Sequence, residues 1–120
     1  MQYVLLAYED QQQAALPSSE REAFRNACRA NDEALRKSGH LLAAEGFQHS
    51  CTATTVRFQH GRLSVTVGAL AETRAQLVGI FTISARDLNE AIQVAAKIPS
   101  AKIGTVEVRP VVDFSQAQQA

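Results

Sequence analysis

Twice along this chain of 120 residues a strand-like segment leads into a punctuated amphipathic helix and out into another strand. Few folds accommodate that order. In the first half, residues 3–8 are apolar at both alternations, as in a strand covered on both sides. Pro17-Ser18-Ser19 opens a helix, with Ser19 and Glu22 spaced as a capping box. Phe24, Ala27, Cys28, Asn31, Ala34 and Leu35 recur at helical spacing as its inner stripe, and Gly39 stands where a helix end favours glycine. Residues 40–47 read as a strand with Leu41, Ala43 and Glu45 on one face and Leu42 and Ala44 on the other. In the second half, residues 79–84 read as a strand, and Asp87 with Glu90 repeats the capping box. Leu88, Ala91, Ile92, Ala95 and Ile98 form the second inner stripe, Pro99 stops that helix, and residues 105–112 close the pattern as a strand. Between the halves, β-branched runs at 52–58 and 63–67 meet through Gln59-His60-Gly61-Arg62, a hairpin signal.

The pattern predicts an α+β fold: a ferredoxin-like antiparallel sheet with two helices on one face and an inserted β-hairpin. The length suits one domain, taken as residues 1–114, with 115–120 as a polar C-terminal tail. Helices cover only one side of such a sheet. The other side, carrying Tyr3, Leu5, Phe81 or their neighbours, is too apolar for water, which predicts a homodimer.

Composition narrows the partners. Twelve basic and twelve acidic residues leave no net charge, so the footprint needed for nucleic acid is missing. Arg21, Arg25 and Arg29, at i, i+4 spacing, read as a solvated helix face, with a local anion-binding stripe as the alternative. No apolar run is long enough for a membrane span or a signal-peptide core, so no membrane is expected and a cytoplasmic location is. Cys28 and Cys51 form no C-x-x-C and read as free thiols. His49 beside Cys51 is too small a set for a metal, and neither a metal nor a cofactor is expected. There is no Ser/His/Asp order and no phosphate-cradling glycine loop.

Five stretches carry a resemblance to one family. They are residues 3–8, Ala43-Ala44-Glu45-Gly46-Phe47-Gln48, the loop Thr66-Val67-Gly68-Ala69-Leu70-Ala71-Glu72-Thr73-Arg74, Asp87-Leu88-Asn89-Glu90-Ala91 with its sequel to Pro99, and Val106-Glu107-Val108-Arg109-Pro110-Val111. In this order they resemble the YCII-related domain family, in its branch with a D-G-P-F loop. Val67, Ala69 and Leu70 stand where that branch has Asp, Pro and Phe, whereas Gly68, Glu72 and Arg74 are retained. The resemblance implies a ferredoxin-like dimer forming an α/β barrel around a cleft. A related branch includes a dehydrochlorinase acting on a chlorinated hydroquinone-type ring, and some members resemble accessories of alternative sigma factors. The His–Asp pair proposed as catalytic in other members has no counterpart here.

The candidate residues follow. Glu107 and Arg109, two apart on a strand, share a face, and the alternation turns Val106 and Val108 to the helices and this pair to the cleft. Arg109 there would hold a carboxylate or phenolate, and Glu107 or Glu45 would act as acid or base; the alternative is a structural ion pair. Glu72, Arg74 and Gly68 would bind ligand from the loop, or merely anchor it. Tyr8 would donate its hydroxyl at the cleft mouth, or pack in the core with that hydroxyl satisfied. The reading is a small anionic or phenolic ligand in a dimer cleft, with proton transfer or elimination if the protein is an enzyme. Its rival is an interaction module that docks on a protein such as a sigma factor.

Overall fold

The computed structural model describes residues 1–10, 17–69 and 75–113. Along the chain come β1 (Gln2–Asp10), α1 (Ser18–Lys37), β2 (Leu41–Gly46), a 3-10 turn at Ser50–Thr52, β3 (Thr54–Gln59), β4 (Arg62–Val67), β5 (Ala75–Ser84), α2 (Leu88–Ala96), α3 (Ser100–Ile103) and β6 (Gly104–Pro110). Four strands pair in the order β2-β5-β1-β6, each antiparallel to its neighbour. This mixed α+β arrangement is compatible with a ferredoxin-like sheet. The β3–β4 hairpin forms a separate two-stranded sheet.

The core lies between the sheet and the helices. Tyr3, Leu5, Leu41 and Ile83 from the strands meet Leu35 of α1 and Ala91, Val94, Ala95 and Ile98 of the α2 region. Leu5, Ile83 and Ile98 are the largest fully buried side chains, each contributing about 1.5–3 kcal/mol by leaving water. Val106 and Val108 of β6 pack against the same cluster, as their alternation predicts. Tyr3, Leu5 and Phe81 also belong to this helix side. Their neighbours Val4, Leu6 and Ile80 are the ones left on the open face, all partly exposed.

Local differences from the sequence pattern have physical causes. Pro17, extended at ψ 151°, is the N-cap of α1, and its carbonyl accepts the first helical bond from Arg21 N–H. Ser19 therefore sits inside the first turn, and its capping box with Glu22 does not form. On α1, Leu35 is buried and Phe24, Cys28 and Asn31 are half-buried, but Ala27 and Ala34 face solvent. A register shift between Leu41 and Ala43 turns Leu41 and Ala44 toward the core together, leaving Ala43 and Glu45 opposite Thr82 and Ile80. In α2 the buried ridge runs through Ala91, Val94, Ala95 and Ile98, while Leu88 and Ile92 are exposed. Asp87 caps α2 by accepting from Glu90 N–H (2.9 Å), whereas the Glu90 carboxylate turns back to Arg86 and His40. Pro99 both ends the α2 region and caps the short α3, which alternation alone does not reveal. β5 starts at Ala75, well before residue 79. The tail at 115–120 lies outside the described residues.

Two backbone positions test this account. His60 (φ 52°) and Gly61 (φ 75°) make the two-residue turn of the hairpin, both in the left-handed region that type I′ turns require. His60→Val, β-branched at positive φ, is expected to cost about 1–2 kcal/mol in chemical denaturation, and His60→Asn to cost nothing. Gly104 starts β6 against the carbonyl of Tyr8, which any Cβ would strike. Gly104→Ala should lower stability by about 1–3 kcal/mol, read as a shifted denaturation midpoint at unchanged slope.

Candidate functional site

Directly opposed strand residues share a face, so the pairing registers map the open side of the sheet. One row runs Glu45, Ile80, Leu6, Glu107, and the next runs Ala43, Thr82, Val4, Arg109. Toward the sheet end, Leu77, Tyr8 and Thr105 make a third row. The face is thus an aliphatic floor with charge at its margins. On the β6 side Arg109 Nε donates to Glu107 Oε2. That hydrogen bond and the Glu107 charge hold the Arg109 guanidinium above its ordinary range, with Tyr8 a minor contributor. Arg109 and Glu107 therefore form one pair, and Tyr8, opposite Thr105, shares their face two residues along β6 from Glu107. Glu45 stands apart. It lies three strand spacings from Glu107, roughly 14 Å at the backbone, too far for both to act on one atom of a ligand held by a single chain.

Tyr8 also lines a cleft of about 700 Å³ with Phe47, His49, Ser50, Gln76 and Leu77. Ala53 and Ala69, at the base of the hairpin, line it as well. His49 is fixed there by its own backbone turn: Nδ1 accepts the Cys51 N–H (3.1 Å), which leaves Nε2 as the donor of the neutral ring. Gly68 has its backbone engaged at the hairpin base, its N–H donating to the Ala53 carbonyl (2.7 Å) and its C=O accepting from Thr55 Oγ1 (2.7 Å). Glu72 and Arg74 lie outside the described residues. No group of three or more metal-ligating side chains occurs among the described residues, and no described helix is long and apolar enough to cross a membrane.

The family profile of the YCII-related domain matches residues 1–115. The chain belongs to the YCII-related domain family. It is also similar to an uncharacterised protein of Rhizobium meliloti (strain 1021), 30% identical over 113 residues that span 92% of this chain and 91% of the relative.

The YCII-related domain has a second polar concavity, beneath α1, that the sequence reading missed. A cleft of about 460 Å³ opens between α1 and the small residues Ala7, Ala44, Gly46 and Gly79 of the sheet. Into it come Glu9, Cys28 and Asp32. Burial pushes the Glu9 carboxyl up, opposed by its hydrogen bond with Ser100, and burial likewise raises Asp32 against the pull of Arg36. The Cys28 thiol is raised first by burial, then by the charges of Asp32 and Glu9. The signal was present: Glu9 continues the odd-numbered face of Tyr3, Leu5 and Ala7, and Asp32 follows Cys28 by four along the inner ridge. A stripe chosen for apolar residues passes over both.

The thiols should differ accordingly. Cys51 is exposed and Cys28 half-buried. Under iodoacetamide at mildly alkaline pH, Cys51 is expected to alkylate first. Asp32→Asn removes one of the charges that oppose the Cys28 thiolate, so Cys28 alkylation should accelerate severalfold, with its pH–rate midpoint moving down. An unchanged midpoint would mean that the Asp32 charge does not set the reactivity.

Proposed function

We propose that this YCII-related protein binds a small anionic or phenolic molecule on its open sheet face, in a cleft closed by a second copy as a dimeric α/β barrel. The observation that carries the reading is the Glu107–Arg109 pair at the rim of an otherwise aliphatic floor, with Tyr8 linking that rim to the 700 Å³ cleft. An apolar recess with a few convergent polar groups is the usual form of a small-molecule site. Arg109 exchanges its bond with Glu107 for a bidentate one to a carboxylate, or a single one to a phenolate. Tyr8 donates its hydroxyl, and the Leu6 and Ile80 floor takes the ring. If the ligand is turned over, Glu107 is the base of a proton transfer or elimination, since displacement from Arg109 frees its carboxylate beside the ligand. Glu45, at the opposite margin, meets that chemistry only from the second copy. The protein acts in the cytoplasm in this reading, and Gly68, Glu72 and Arg74 of the worn D-G-P-F loop contribute further ligand contacts.

The exposed hairpin favours a second reading, a protein-interaction module of the kind that accompanies alternative sigma factors. Val56, Phe58, Leu63, Val65 and Val67 are all exposed on it.

A thermal-shift series with small phenols and carboxylates, on wild type and Arg109→Ala, separates the two. A ligand at a hundred times its dissociation constant adds about 2.7 kcal/mol of stability. The expected result is a stabilising carboxylate or phenol whose effect Arg109→Ala abolishes and Arg109→Lys weakens. Indifference of the folded wild type to the whole series removes the ligand reading.

A further inference from the structure

The β3–β4 hairpin divides cleanly by face. Its registers oppose Thr54 to Val67, Val56 to Val65 and Phe58 to Leu63, so one face carries Val56, Phe58, Leu63, Val65 and Val67 without a charge. The other face carries Thr55, Arg57, Gln59, Arg62, Ser64 and Thr66. Such alternation belongs to a sheet with one side covered. Yet Phe58 is 73% exposed and Val67 82%, and the hairpin pairs with no strand of the main sheet.

A two-stranded ribbon on its own is marginally stable in water, so its cover must be permanent rather than occasional. We infer that the apolar face of this hairpin is an interface between copies of the chain, each hairpin reaching over its partner. Three observations select a second copy over a foreign protein. First, the same chain leaves a second aliphatic area partly exposed, the Val4, Leu6 and Ile80 floor of the open sheet face. Second, the molecule is a slab of 47 × 47 × 18 Å, one sheet layer deep with its helices, as one half of a thicker body would be. Third, the areas complement each other. The ribbon is roughly 20 Å long and 10 Å wide, a footprint on the order of 200 Å². A stable interface takes about 800 Å² from each partner, so the ribbon alone is too small. The open sheet face adds on the order of 400 Å² of footprint, and only a partner that covers both comes within reach. The inference rests on the dimer of the proposed function but assigns a part of the interface which the barrel closure does not require.

The chain has no tryptophan, so Phe58→Trp gives a single reporter in the ribbon. The expected result is blue-shifted emission at tens of micromolar, by order of magnitude a concentration above a standard interface's dissociation constant, moving red on dilution in step with loss of dimer mass by light scattering. Excess unlabelled wild-type protein should hold the emission blue on dilution. Val65→Asp should weaken self-association roughly a hundredfold or more, because a buried carboxylate would face apolar side chains. Arg57→Glu, on the polar face, should leave it unchanged, and far-UV circular dichroism checks that each variant folds. Red emission from a dimer overturns the inference while leaving the sheet-face cleft standing. Blue emission from a monomer, independent of concentration, overturns it in favour of cover by the chain itself. A wild type that is monomeric throughout overturns both this inference and the closed cleft.

Discussion

The double pairing of β1 organises the molecule. Its residues bond to β5 on one edge and to β6 on the other, over nearly the full length of the strand. Because neither edge is free, every side chain on β1 must find its place above or below the sheet. Leu5 consequently sits at the middle of the core with no exposure, and Leu6, one residue on, at the middle of the open face. The helices are fixed relative to this strand by Ile98, Val94 and Leu35, and the charged rim of the open face is fixed by β6 lying beside it.

How far the sequence announces this depends on which force decides each residue. Elements set by local chemistry are legible: Asp87 as the cap of α2, Gly39 at the end of α1, and the His60-Gly61 turn each satisfy a backbone need that neighbouring residues cannot. The facing of Val106 and Val108 inward and of Glu107 and Arg109 outward is legible too, since strict alternation on an unbroken strand leaves no second solution. What fails is anything settled by tertiary packing. Leu88 and Ile92 look like core residues by spacing, yet α2 turns Ala91, Val94 and Ala95 to the sheet, and small side chains allow the closer approach. The α1 cap moves to Pro17 because the chain enters extended, which no single residue at Ser19 can override.

The candidate site shows the same division. Tyr8, Glu107 and Arg109 share a face because they lie at matching alternations of adjacent strands. Glu45 shares that face but not that margin, a separation that depends on strand order rather than on sequence. The polar cleft beneath α1 escaped notice for the opposite reason: Glu9, Asp32 and Cys28 occupy positions that the pattern assigns to apolar packing. Two half-buried carboxyls, both raised by burial, stand beside a thiol and make that cleft polar.

The irregularity in the pairing of β1 with β5 has a consequence for how this chain can change its length. Ala7 opposes Gly79 and Tyr8 opposes Leu77, so Val78 is an extra residue without a counterpart. It places Leu77 beside Tyr8 on the cleft side, although plain alternation from Ile83 and Phe81 would have turned Leu77 toward the helices. The two ends of β5 thus run on separate clocks. Loss of Val78 by deletion would remove the bulge and leave Leu77 opposite Tyr8 on the cleft side, so both halves of the strand would keep their facing. A one-residue deletion at this point is therefore absorbed by the irregularity, whereas a deletion elsewhere in the strand would turn one part of it over.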